Sequence, residues 1–203
     1  MKRLYENIED IHIKGSISQL SQLVTNLDLN LQDISNKTDE LYNWLVKFSG
    51  SNAGRQFEKV VEESLSLRDY LYDAATDINQ MQNDIAAYQN KIARFEDNNE
   101  YADAPNPLML SKNKHVNVKT DKVEIKKNEM NQLLRALKAY RSYIDKNAKE
   151  IDRKSREIGV VWQDSQYKDF MNYIHDIFRR INECIKKFEP CIQELEEKIK
   201  GLE

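Results

Sequence analysis

Apolar residues recur at alternating spacings of four and three along the first part of the chain. The pattern continues for about four heptads, until a stretch rich in Gly and Ser at 48–54 interrupts it. This spacing places one apolar stripe along one face of a helix and predicts a coiled-coil seam. The stripe consists of Leu20, Val24, Leu27, Leu31, Ile34, Thr38, Leu41, Leu45 and Phe48.

Three further segments show the same helical periodicity. The second covers about 53–95, and the third and fourth lie on either side of a polar turn at 162–170. Pro190 falls inside the fourth segment and predicts a kink or a helix end near Glu189, because it removes one backbone hydrogen bond. The apolar positions of the fourth stripe are Phe170, Ile174, Ile177, Ile181, Cys184, Phe188, Cys191 and Leu195.

A polar segment at 97–122 separates the two pairs of predicted helices. Pro105 and Pro107 forbid a continuous helix there, and the segment is longer than an ordinary loop of a helical bundle. The sequence therefore predicts a first helical hairpin at 1–96 with its turn at 49–57. A linker follows at 97–122, and then a second hairpin at 123–203 with its turn at 162–170.

The two predicted hairpins repeat each other. One constant offset, the separation of Phe57 from Phe170, aligns them without a gap and preserves the break between helices. Helices of about 35 residues span about 50 Å and must cover their apolar faces along that length. We therefore predict an all-α fold, in which two long hairpins in tandem form an elongated antiparallel four-helix bundle. This is a pseudo-dimer within one chain, and a homodimer that swaps hairpins through the linker is the alternative assembly.

Composition and charge narrow the functional classes. The chain of 203 residues has 31 basic and 34 acidic residues, which gives a net charge of -3 and no global field for nucleic acid. No run of apolar residues is long enough to span a membrane, and the N-terminal residues lack the apolar stretch of a secretory signal. We expect a cytoplasmic protein, or one that is exported without an N-terminal signal peptide. Cys184 and Cys191 are interpreted as core thiols.

The sequence offers no convergent set of catalytic or metal-binding residues. His12, His115 and His175 are scattered, and no Gly-rich phosphate loop is present. We therefore expect no enzyme activity and no cofactor or metal. One basic cluster lies in and just after the linker and is interpreted as a solvated segment, with a polyanion contact as the alternative. It consists of Lys112, Lys114, Lys119, Lys122, Lys126 and Lys127.

The turn of the second hairpin carries the most specific motif. Trp162 ends one predicted helix, and Phe170 begins the apolar face of the next. Between these two aromatic residues, Asp164 or Ser165 can cap the N-terminus of the next helix. We interpret the two aromatic residues as a clasp that closes the open end of the hairpin.

This turn resembles that of the WXG family of small type VII secretion proteins. Members of that family are helical hairpins with a Trp-x-Gly turn and an aromatic residue eight positions after the Trp. Trp162 and Phe170 have that spacing, and Asp164 takes the glycine position. In the first hairpin, Gly50, Gly54 and Phe57 fit the turn, but Ser49 stands where the tryptophan would align and Trp44 comes five residues earlier.

The resemblance implies a protein that binds other proteins. Most members of the family are single hairpins that dimerise, whereas this chain contains two. Its tail at 188–195 lacks the Tyr-x-x-x-Asp/Glu element that the family uses for export. This favours a helper that pairs with the helical targeting domain of a secreted protein, or with a secretion ATPase, over a free-standing secreted substrate. The alternative function is a general coiled-coil scaffold or adaptor without a secretion role.

Overall fold

A computed structural model of the chain contains four α-helices that pack against each other. It describes residues 17–95, 101–103, 105–108, 110–112, 114–160, 162 and 165–202. In chain order the helices are α1 (Ile17–Ser51), α2 (Arg55–Phe95), α3 (Lys127–Ile158) and α4 (Ser165–Lys200). The predicted all-α four-helix class is therefore confirmed.

The first turn is shorter than the sequence predicts. α1 continues through Gly50 to Ser51, and only residues 52–54 separate it from α2. The backbone and side-chain nitrogens of Asn52 both donate to the carbonyl of Phe48, at 2.9 and 3.3 Å, and satisfy an acceptor at the end of α1. Gly54 then takes a φ of 134°, and its carbonyl accepts the backbone N–H groups of Phe57 and Glu58. A residue without a Cβ makes this abrupt reversal accessible.

Helix α4 does not end at its proline. Of the two predicted outcomes, a helix end near Glu189 is wrong, because α4 continues through Pro190 to Lys200, and a kink there stays a prediction. Both Phe188 and Cys191 are buried on either side of the proline. The apolar stripe on this face therefore continues past the missing backbone bond, and packing of the stripe can offset its loss.

The contacts divide the chain into two units, and each unit contains a segment of every helix. The described part of unit 1 comprises 17–33, 74–95, 101–103, 105–108, 147–160, 162 and 165–180. Unit 2 comprises 34–73, 110–112, 114–146 and 181–202. Both units therefore draw on both predicted hairpins, and the division by contacts runs across the helices. The division of the chain at 1–96, 97–122 and 123–203 stays a prediction.

The core of each unit is built from the predicted stripes. Unit 1 buries Leu27 and Ile85 with Ile151 and Ile174, one residue from each helix, and unit 2 has an equivalent arrangement. Phe95 of the second segment and Leu134 of the third follow the helical spacing of the apolar faces, which predicts that both are buried, and the structure differs at both. Leu133 is buried in α3 while Leu134 is partly exposed, and Phe95 at the end of α2 is 92% exposed. Helices leave the 4-3 spacing at such positions because 3.6 residues per turn do not divide evenly into seven.

The internal repeat extends to the burial pattern. The offset that aligns the two hairpins carries many of the buried positions of α1 and α2 onto buried positions of α3 and α4 without a gap. The agreement in burial across two helices supports a duplicated hairpin. Pairs buried on both sides include Leu20 with Leu133, Val24 with Leu137, Leu31 with Ile144, Phe57 with Phe170, Val61 with Ile174 and Ile78 with Cys191.

The linker lies against the first hairpin within each unit. In unit 1, the side-chain amide of Asn90 donates to the carbonyl of Ala102 and accepts its N–H, at 3.3 and 2.7 Å. In unit 2, Ala53 and Glu124 form an isolated antiparallel bridge of two hydrogen bonds, at 2.9 and 3.1 Å. α3 begins only at Lys127, so 123–126 continue the linker. Backbone groups that lack a regular ladder are thus satisfied by the turn and by side chains.

Because both units draw on both hairpins, each hairpin alone would expose an apolar face. We expect fragments 1–126 and 127–203 to associate one-to-one when mixed, with a gain in helicity measured by circular dichroism and a complex seen by light scattering. Leu137→Asp in the second fragment should abolish the complex, since Leu137 is fully buried. Ala139→Asp, at an exposed position two residues along the same helix, serves as the control. Two fragments that remain folded monomers after mixing would contradict the tandem assembly.

Candidate interaction site at the helix turns

Trp162 lies in the turn between α3 and α4 and is buried in unit 1. Its backbone N–H donates to the carbonyl of Ile158 at 2.8 Å, and its side chain is only 2% exposed. The indole stacks on Tyr88 of α2 with ring centroids 5.4 Å apart and planes at 24°. Phe170 lies 5.3 Å from the indole and Tyr167 lies 5.7 Å from it. Four aromatic rings thus pack together at this turn, at separations typical of favourable aromatic pairs.

The end of α3 depends on the absence of a side chain at Gly159. A Cβ at this position would clash with the hydroxyl and ring of Tyr167. The Tyr167 hydroxyl donates to the carbonyl of Ser155 at 3.3 Å, and burial raises the pKa of this phenol. Gly159 therefore lets the first turn of α4 approach the last turn of α3. Neither Gly159 nor Tyr88 is among the site residues that the sequence predicts, although Tyr88 has the spacing of the apolar face of the second segment. A glycine directly after the last stripe residue of α3, Ile158, was the available signal for Gly159.

The structure describes the aromatic residues of the predicted clasp at this turn but not the side chains of the predicted cap. Phe170 is fully buried and contacts Trp162 as the clasp requires. Asp164 lies outside the described residues. Ser165 begins α4, but its side chain is outside the description. Val160, between Gly159 and the tryptophan, is 74% exposed and is an apolar side chain that this turn presents to solvent.

The other predicted site residues lie in or next to the first turn. Phe57 is buried and meets Phe48 edge to face, with centroids 5.4 Å apart and planes at 85°. Gly54 donates its N–H to the carbonyl of Lys119 at 2.8 Å, which ties the linker to the turn. Gly50 lies within α1 and is exposed. This turn belongs to unit 2 and the Trp162 turn to unit 1, so the candidate residues fall into two separate groups.

Two buried polar features of unit 2 go beyond the sequence prediction, which places Thr38 on the apolar stripe without assigning it a partner. The Thr38 hydroxyl bonds to the carbonyl of Ile34 at 2.6 Å and to the Tyr140 hydroxyl at 2.9 Å. Burial raises the pKa of the Tyr140 phenol far above its usual value. Arg68 of α2 is fully buried. It stands seven residues after Val61 and three before Leu71, so a basic residue on the apolar stripe was the signal that could have found it.

The described residues contain no metal centre. No group of three or more His, Cys, Asp or Glu side chains among them could hold a metal ion. His12 lies outside these residues, and His115 and His175 are exposed in different units. Cys184 and Cys191 are free and buried. The Cys184 thiol points at the carbonyl of Leu67, 3.6 Å away, and burial raises its pKa from 9.0 to about 12.

Comparisons of the chain with protein-family models, with curated proteins and with solved structures returned no match. Within the described part of the chain, no helix combines the length and apolar character needed to cross a bilayer.

The close approach of Tyr167 to Gly159 makes a specific stability prediction. Gly159→Ala should destabilise the protein by about 1–3 kcal/mol, because the added methyl group displaces a partly buried ring. Gly50→Ala is the matched control. A Cβ there meets nothing within 4 Å, and replacing a helical glycine should stabilise by up to about 1 kcal/mol. Urea unfolding followed by circular dichroism gives both values. Equal effects of the two substitutions would contradict the proposed packing of the turn.

The buried thiol predicts a loss of stability at alkaline pH. The folded state keeps Cys184 protonated up to about pH 12, whereas the unfolded chain loses this proton near pH 9. Stability should therefore fall as the pH rises through this window. The urea midpoint measured across the window should fall less steeply in Cys184→Ala than in the unmodified protein. Identical slopes would contradict the assignment to this thiol.

Proposed function

We propose that this chain is a non-enzymatic helical interaction protein that acts with a type VII secretion system, as a helper or targeting partner of a secreted protein. The observation that supports the proposal is the turn between α3 and α4. Trp162 and Phe170, eight residues apart, are in ring contact and close the second hairpin. This is the spacing of the WXG family that the turn resembles.

The four-helix arrangement supports a helper role for one chain acting alone. In this protein the apolar faces of α3 and α4 are covered within the same chain, and their buried positions repeat those of α1 and α2. Single-hairpin members of the family obtain such cover by dimerising. A chain with internal cover leaves its outer surface for a different protein, so the partner surface is expected outside the core.

Val160 is the side chain that we expect to meet the partner at this turn. It is 74% exposed, whereas Trp162 close to it offers almost no surface. An exposed apolar side chain on a turn held by four packed aromatic rings is well suited to anchor a contact. Trp162 would then act on binding only through the fold, by holding the turn in place.

We expect an affinity capture of tagged chain from its native host to recover a large secreted protein with a helical N-terminal domain, or a membrane secretion ATPase. Val160→Asp should reduce this recovery and leave the melting temperature unchanged. Leu29→Asp, at another exposed apolar position in unit 1, should leave both the recovery of the partner and the melting temperature unchanged. Trp162→Ala should instead lower stability by about 3–5 kcal/mol. Recovery of unrelated proteins alone, identical for all variants, would argue against the secretion role.

The burial of Trp162 also favours a second candidate function. A tryptophan packed among three aromatic rings is fully explained by core packing, with no partner required. The same structure therefore suits a general coiled-coil scaffold or adaptor. The genes beside that of the protein distinguish the two functions, since a helper should be encoded near a secretion ATPase or its secreted partner.

A further inference from the structure

Part of the linker is held to the first hairpin through its main chain. In unit 2, Nη1 of Arg68 donates to the carbonyl of Ser111 at 2.7 Å, and the Tyr42 hydroxyl donates to the carbonyl of His115 at 3.3 Å. We call residues 110–112, 114 and 115 the linker strap. Contacts of this kind recognise an extended backbone whatever side chains it carries.

Arg68 is the central group beneath the linker strap. Its side chain is 0% exposed, and its two carboxylate contacts, with Asp39 and Asp69, are both long at 3.4 Å. Its Nε has no hydrogen-bond partner among the described residues. A buried guanidinium is costly unless its donors are satisfied. The carbonyl of Ser111 provides its shortest bond, so the site requires a backbone acceptor at this point.

The side chains of the linker strap match the surface on either side of Arg68. Lys112 binds both carboxylate oxygens of Asp73, at 2.7 and 2.9 Å, and this bond raises the pKa of its ammonium group. Lys114 lies 3.3 Å from Asp39 and 4.5 Å from the centre of the Tyr42 ring. Leu110 is buried. The surface thus provides an apolar contact, a donor for a carbonyl, two carboxylates and an aromatic face.

We propose that this face of α1 and α2 is a binding site for an extended peptide with an apolar residue followed two and four positions later by lysines. The linker strap occupies the site within the chain, and a partner segment of the same pattern replaces it. The inference rests on the contacts of Arg68, Asp39 and Asp73 in unit 2. It is therefore independent of the secretion role and of the turn at Trp162.

The covalent connection of the linker strap controls access to the site. A tethered occupant acts at an effective concentration on the order of millimolar, so a free peptide competes poorly while the strap is in place. Replacing residues 110–115 by a Gly/Ser segment of equal length keeps the connection and removes the competing side chains. This vacated variant leaves every receptor residue unchanged.

The test uses a labelled peptide with the sequence of residues 108–118, titrated with full-length protein and followed by fluorescence anisotropy. The vacated variant should bind it at least about tenfold more tightly than the unmodified protein, because the tethered segment keeps its backbone carbonyls but loses the side-chain contacts of Leu110, Lys112 and Lys114 that hold it in the site. Circular dichroism verifies that the variant is helical. If the vacated variant is not helical, the double substitution Lys112→Ala and Lys114→Ala opens the site with a smaller change to the chain.

Matched variants assign the binding to the proposed groups. In the vacated variant, Asp39→Asn combined with Asp73→Asn should weaken binding by about tenfold or more, since two charge-assisted bonds are lost. Both carboxylates are about half exposed, so the fold should persist. Arg68→Gln in the vacated variant should also weaken peptide binding. Replacement of both lysines of the peptide by alanine should have the same effect. Binding that is no tighter in the opened protein, or that is unchanged by the carboxylate substitutions, would overturn the proposal.

Discussion

The burial of four apolar helix faces against one another is the constraint on which the rest of the structure depends. All four helices are long, and the apolar stripe of each continues along most of its length. A stripe so long exceeds what the other helix of a single hairpin can cover. The second hairpin supplies the missing surface, which explains why both units draw on segments from all four helices.

This packing determines where polar groups can enter the core. Thr38 and Tyr140 satisfy each other across α1 and α3, so their hydroxyl groups add little penalty to an apolar layer. Arg68 is different, because it occupies the position that Ile181 takes in the second copy of the repeat. An arginine at that position can be buried only if a hydrogen-bond acceptor lies within reach of its guanidinium group. The linker supplies that acceptor, so a single polar residue in α2 explains the course of a segment without regular structure.

The two turns serve the same packing by different means. Gly54 reverses the chain between α1 and α2 through its positive φ, and the linker bonds to its N–H. Gly159 instead leaves space for the Tyr167 side chain, and Trp162 stacks on Tyr88 in unit 1. The tryptophan that suggests a family therefore belongs to the core of this unit. In the proposed function, partner binding therefore depends on neighbouring exposed residues such as Val160.

The sequence by itself determined the four helices, their core faces and the constant offset between the two hairpins, because 4-3 spacing and sparse turn residues can be read along the chain. It left open whether Pro190 kinks or ends α4, and the helix does not end there, since packing of Phe188 and Cys191 can hold a helix past the missing backbone bond. Only the tertiary structure decided that Tyr88 meets Trp162 and that Arg68 holds the linker. Such contacts join residues tens of positions apart, and spacing along the chain contains no information about which distant side chains meet.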